Sequence, residues 1–82
     1  MPRSPDELLK LVADVVSDVA GVPLDDIQLE KSLVDDLDVD SLAIVEIMVS
    51  LEEKAGVSVP DDQAKKLKTV GDIVTYLAQE GA

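Results

Sequence analysis

The stretch DDLDVDSLAIVEIMVSLEEKA, residues 35–55, decides how the rest of the chain is read. From Ser41 to Ala55 it has more apolar residues than one buried stripe needs. At about 100° per residue they separate onto two sides of a helix. Ile44, Ile47, Met48, Leu51 and Ala55 fall on one side, the expected core face. Leu42, Val45 and Val49 fall on another, interleaved with Glu46, Glu52 and Glu53. Such a strip is either a second packing surface for the preceding loop or a docking surface for a basic partner, and the pattern admits both. Ahead of the helix stand Asp35, Asp36, Asp38 and Asp40. Asp40 or Ser41 can cap the first turn, and the other acids suit the positive end of the helix dipole.

Working outward, the segment after Ser4-Pro5-Asp6-Glu7 has the signature of a helix start, with Ser4 as cap, Pro5 in the first turn and Glu7 closing a capping box. Leu8, Leu11, Val12, Val15, Val16 and Val19 then share one face until Gly21 and Pro23 end the helix. At the other end Thr69 and Asp72 repeat the capping logic, followed by Val70, Ile73, Val74 and Leu77 on one stripe and Gly81 just beyond. Between Gly21 and Asp40 no long periodic run occurs. Leu24, Ile27, Leu29, Leu33, Val34 and Leu37 are expected to pin that loop, with helical turns near Asp25 to Ile27 and Ser32 to Asp36. GVSVP at 56–60 can be read as a short strand but lacks a pairing partner, and Pro60-Asp61-Asp62 opens a short helix ending near Leu67.

Eighty-two residues suffice for one small core and not for two. Seven basic against eighteen acidic residues give a net charge of −11, so nucleic acid is excluded as a partner by repulsion from phosphate. The 46% hydrophobic content is too high for a disordered acidic tail, and the 30% charged content is too high for a membrane span. LLKLVADVV is broken by Lys10 and Asp14 and lacks the continuous apolar region of a secretory signal, so a cytoplasmic protein is expected. There is no His and no Cys, which removes histidine bases, thiol nucleophiles, disulfides and zinc fingers together.

Two further chemistries fail on detail. Asp36, Asp38 and Asp40 alternate as in a calcium loop, but Ser41 stands where Gly is required and Ile47 where the bidentate Glu is required. No resident metal is expected. Ser41 has no histidine to activate it and no GxSxG context, so it is not a hydrolase nucleophile. A serine at a helix N-terminus is nevertheless well placed to carry a phosphoryl group, although the neighbouring aspartates oppose that charge. The combination suggests a serine modified by another enzyme with a cation present, in a protein that is not itself an enzyme.

Asp40-Ser41-Leu42, extended through Asp35-Asp36-Leu37, Val45-Glu46, Leu51-Glu52-Glu53, Pro60-Asp61-Asp62 and Thr69-Val70-Gly71-Asp72, resembles the acyl carrier proteins of dissociated bacterial fatty acid and polyketide synthesis over nearly the whole chain. DLDVDSL followed by VEI, with KTVGD near the end, is most similar to the actinobacterial fatty acid carriers. The resemblance implies an all-α, four-helix bundle of acyl-carrier type as a single domain over 1–82, with a long first loop. Its three longer helices are expected near 5–20, 41–55 and 69–79, and the short one near 61–66. It implies that a holo-carrier-protein synthase, using Mg²⁺, transfers 4′-phosphopantetheine from coenzyme A to Ser41 Oγ. Asp40 would help recruit that metal and Leu42 would contact the synthase.

Further implications are a docking surface of Asp36, Asp40, Leu42, Val45, Glu46, Val49, Glu52 and Glu53, and an acyl pocket of Ile47, Leu51, Val59 and Leu67. The implied partners are the acyltransferase, ketosynthase, ketoreductase, dehydratase and enoyl reductase of fatty acid or polyketide synthesis, served by a monomer. Ala43 stands where many relatives carry an acid, Leu33 and Ala55 where many carry Phe, and Lys54 where a third Glu often follows. The alternatives are a carrier of polyketide or another specialised acyl pathway and, in a different class, a small acidic interaction or ion-binding module in which Ser41 is only a cap.

Overall fold

Local capping sets where the chain turns helical in a computed structural model that describes residues 3–82. The first two residues of the single domain expected over 1–82 lie outside it. The Ser4 hydroxyl accepts the Glu7 N–H at 3.2 Å, and the Glu7 carboxylate accepts the Ser4 N–H at 3.0 Å, completing the box. Helix α1 then runs Pro5–Ala20 and stops at Gly21, whose φ of 72° is left-handed. The bond from the Ser4 N–H, then that from its hydroxyl, hold the Glu7 carboxyl below its ordinary 4.5. The box is therefore fully formed above that pH and weakens as the pH falls through the lowered value.

Helix α2 spans Ser41–Ala55 and ends at Gly56, again left-handed at φ 73°. A single helical turn, α3, spans Asp61–Ala64, and α4 spans Val70–Gln79 behind a Thr69–Asp72 capping box. α1 packs against both α2 and α4. Leu8, Val12, Val15 and Val16 of α1 meet Ile47, Met48 and Leu51 of α2 and Val70, Ile73, Val74 and Leu77 of α4 in one aliphatic core. Full burial contributes about 1.5–3 kcal/mol for each such side chain. Among the described residues no polar or charged residue is buried with it. None of the helices is long and apolar enough to cross a membrane, again among the described residues.

The connecting segments differ from expectation in instructive ways. Of the six proposed loop anchors, Ile27, Leu33 and Leu37 are buried, whereas Leu24, Leu29 and Val34 are about half exposed. The backbone takes over part of their task. The Leu33 N–H donates to Lys68 O at 3.0 Å, Val70 N–H to Lys31 O at 3.0 Å and Gly71 N–H to Leu29 O at 2.8 Å, around a lone antiparallel bridge of Ser32 with Thr69. These bonds satisfy two amides at the start of α4 that no helical carbonyl can reach.

The helical turns foreseen in the loop are present. One is a 3₁₀ turn at Leu24–Asp26. In the other, the Asp36 and Leu37 N–H groups converge on Ser32 O, each at 3.0 Å. The short helix is shorter than 61–66, because the bonding tightens after Ala64: Lys66 N–H donates to Gln63 O and Leu67 N–H to Ala64 O. GVSVP forms no strand. Val59 is buried, and the Tyr76 hydroxyl donates to Ser58 O at 2.8 Å, tying the segment to α4. Desolvation, and secondarily Glu80 and Glu52, raise the phenol above its ordinary 10.0. That tie is intact below pH 10 and is lost as the pH rises through the raised value.

The approach of the loop to α4 makes Gly71 a sharp test. A Cβ there would lie 2.9 Å from the Leu29 carbonyl oxygen, a backbone atom that already holds the Gly71 N–H. Gly71→Ala should destabilise the fold by about 1–3 kcal/mol, the scale of overpacking. Thermal melts should show it as a midpoint lowered by several degrees, about 4–8 °C per kcal/mol for a domain of this size.

Candidate functional site

Two adjacent side chains at the start of α2 divide two tasks. Asp40, extended at φ −80° and ψ 171°, is the N-cap, and its Oδ1 accepts the Ala43 N–H at 2.8 Å. Ser41 is the first helical residue and is exposed. The cap role therefore falls to Asp40, which leaves the Ser41 hydroxyl out of the capping bond.

Ser41 lines a groove of about 620 Å³. Ile44 and Val45 continue its wall along α2, Leu33 and Val34 of the first loop flank it, and Ala64 and Leu67 face it from the segment around α3. The surface is mainly apolar, with Asp35, Asp61, Lys65 and Lys68 among its charged residues. The residue placements follow from elements already described. The loop bonds to Lys68 and Val70 hold Leu33 beside Leu67, and the single turn of α3 brings Ala64 to the same opening.

The acidic strip on α2 is open to solvent. Leu42 is 76% exposed, Val45 60% and Val49 48%, and Glu46 and Glu53 are exposed beside them while Glu52 is half-buried. The loop does not cover these residues, so the packing alternative for this face is excluded. Asp36 is exposed too, with its carboxylate accepting the Ser32 N–H at 2.7 Å. Ile44 and Ala55, assigned to the core face by periodicity, are only half-buried.

Of the residues implied as an acyl pocket, Leu67 lines the groove. Ile47, Leu51 and Val59 do not; they are buried in the core. Ile44, Ile47 and Leu51 nevertheless form one stripe of α2 at helical spacing, leading from the groove wall into the interior. Lys65, Lys68 and Ala64 belong to the groove and escaped sequence reasoning. The available signal was KKLK at 65–68, a basic run in an acidic chain. Asp38 has a φ of 56°, yet no group of three or more acidic side chains is disposed to hold a metal among the described residues.

Residues 10–77 match the family described as the phosphopantetheine attachment site. An acyl carrier protein of Acidothermus cellulolyticus is 55% identical over 95% of this chain and 93% of its own length. One of Thermobifida fusca is 49% identical over 94% of this chain and 98% of its own. The chain belongs to the acyl carrier proteins. The meromycolate extension acyl carrier protein of Mycobacterium tuberculosis is 46% identical over 94% of this chain and 67% of its own length.

As an acyl carrier protein of fatty acid synthesis, the molecule carries acyl groups on covalent 4′-phosphopantetheine. The residues at the start of α2 fit that group: Ser41 is exposed, lies outside the capping bond and lines a mainly apolar groove. When attached, the group supplies a terminal thiol on which acyl chains are held as thioesters.

The cap can be separated from the attachment chemistry. Asp40→Ala should lower stability by about 0.5–2 kcal/mol, whereas Asp40→Asn, which keeps the accepting oxygen, should melt close to wild type. Differential scanning calorimetry of the two variants checks the ordering.

Proposed function

We propose that Ser41 is the residue to which 4′-phosphopantetheine is attached, with residues 1–82 acting as one carrier domain. The observation that carries this reading is the division at the helix start, where Asp40 makes the capping bond and Ser41, exposed, lines the groove. Asp40 also stands beside the reacting oxygen, where it can help hold the Mg²⁺ of the holo-carrier-protein synthase. Leu42, 76% exposed, is a contact for that enzyme. The carrier does no chemistry on its cargo, consistent with a chain lacking His and Cys, and it works in the cytoplasm as a monomer.

The cargo shelters between α2 and the segment around α3. It enters past Ile44 and Leu67 and displaces the aliphatic packing of Ile47, Leu51 and Val59. No polar or charged side chain is buried there among the described residues, so the side chains of the core can shift without breaking a buried side-chain hydrogen bond. Each sheltered methylene is worth roughly 0.8 kcal/mol before the cost of opening the core.

The surface of Asp36, Asp40, Leu42, Val45, Glu46, Val49, Glu52 and Glu53 serves the acyltransferase, ketosynthase, ketoreductase, dehydratase and enoyl reductase in turn. Each needs only a basic rim around its own entrance. Charge steering then gives fast, salt-sensitive encounters, and modest apolar contact keeps them short-lived.

Two experiments test these assignments. Coenzyme A, Mg²⁺ and a carrier-protein synthase should add one phosphopantetheinyl mass to the wild-type chain and none to Ser41→Ala, with peptide mapping placing it at Ser41. Labelling at Ser32, Ser50 or Ser58 would overturn the assignment. Glu46→Lys should lower kcat/KM with partner enzymes while leaving helical circular dichroism unchanged. Added salt should reproduce that loss in the wild type, since screening shortens the reach of exposed charges to about 8 Å at physiological strength.

A further inference from the structure

The seven basic residues are unevenly placed: Lys65, Lys66 and Lys68 fall within four positions, all exposed. Lys65 and Lys68 line the groove that Ser41 opens onto, whereas Lys66 does not. After Ala64 the chain tightens into three-residue bonding, Lys66 N–H to Gln63 O and Leu67 N–H to Ala64 O, and leaves it at Lys68, whose N–H donates to the Asp72 carboxylate at 3.1 Å and whose O accepts the Leu33 N–H at 3.0 Å. Lys65 thus reaches the groove from the turn, and Lys68 from the clasp with the first loop. On the Ser41 side of the groove Asp35 lines the wall and Asp40 precedes Ser41 in the chain, whereas Asp36 and Asp38 border a separate pocket; Asp61 of α3 lines the groove together with the two lysines.

A phosphodiester on Ser41 Oγ adds a permanent negative charge beside Asp40 and on the same groove wall as Asp35. It is repelled from the aspartate side and drawn to the side that carries the ammonium groups. Lysine suits this task, since its flexible stem lets a compact charge with three donors reach an anion whose position is not rigidly fixed. We propose that Lys65 and Lys68 bind the phosphodiester of the attached arm and so position its first segment across the mouth of the groove. The inference rests on Ser41 as the attachment residue and gives these two lysines a positioning role. An arm held this way starts over Ala64 and Leu67, on the apolar surface that its cargo must cross. A partner that brings its own cations to the phosphate competes with the lysines, which couples docking to release of the arm.

Nuclear magnetic resonance of the full chain, apo and loaded from coenzyme A, tests this. Loading should shift the side-chain Cε and Nζ resonances of Lys65 and Lys68 and leave those of Lys10 and Lys66 in place. The ³¹P line of the loaded Lys65→Gln, Lys68→Gln double variant should move toward that of a short peptide bearing the same modified serine. A Lys65→Arg, Lys68→Arg variant should keep the wild-type line. High salt should move the wild-type line and leave the glutamine variant unchanged. All of these positions are exposed, and circular dichroism should show an unaltered fold. Silent lysine resonances, or a ³¹P line identical in the wild type and the glutamine variant, would mean that the phosphate faces solvent and would overturn the proposal. Intact mass of each sample reports loading separately: no mass at Ser41 overturns the attachment reading and this one together, whereas full loading with silent lysines overturns only the phosphate contact.

Discussion

The first loop is fastened to the start of α4 by three backbone hydrogen bonds, and the rest of the molecule is arranged around that clasp. Leu29 O, Lys31 O and Leu33 N–H bond to Gly71, Val70 and Lys68 respectively. Each is worth only about 0.5–1.5 kcal/mol net, but together they fix a segment too irregular to hold itself. They close the core over Ile27, Leu33 and Leu37. They also set one flank of the groove, because Leu33 bonds to the residue following Leu67. Without the clasp, Ser41 would stand at a helix end with no groove beside it.

The start of α2 shows how a helix terminus is capped without engaging its first helical residue. The orphan amide of Ala43 is satisfied by Asp40, a residue outside the helix, so the first residue inside it is left out of the capping bond. The charge of the aspartate suits the helix dipole, and it also makes the surroundings of Ser41 hostile to a second anion. Lys65 and Lys68, from the segment beyond α3, line the same groove as Ser41. In the same way the apolar residues of α2 divide by depth: Ile47 and Leu51 hold the bundle together, Ile44 borders the groove, and Leu42, Val45 and Val49 remain exposed.

The sequence by itself determined the helices and singled out Ser41 at the start of the second long one. Capping boxes at Ser4 and Thr69, glycines after Ala20 and Ala55, and the periodicity of α1 and α4 are local signals, and local signals are read by counting along the chain. The DSL context and the absence of His and Cys pointed to a serine that is modified by another enzyme, also without any tertiary knowledge. What only the tertiary structure decided was which of several similar apolar residues are inside. Leu29 and Leu33 are indistinguishable by type, but Leu29 gives its carbonyl to Gly71 and stays half exposed while Leu33 is buried. The open state of the α2 strip, the brevity of α3 and the arrival of Lys65 and Lys68 at the groove likewise depend on how distant segments are fastened together. A pattern of 3.6 residues fixes the face of one helix, but a loop has no period, and its side chains acquire an inside only when another part of the chain arrives to cover them.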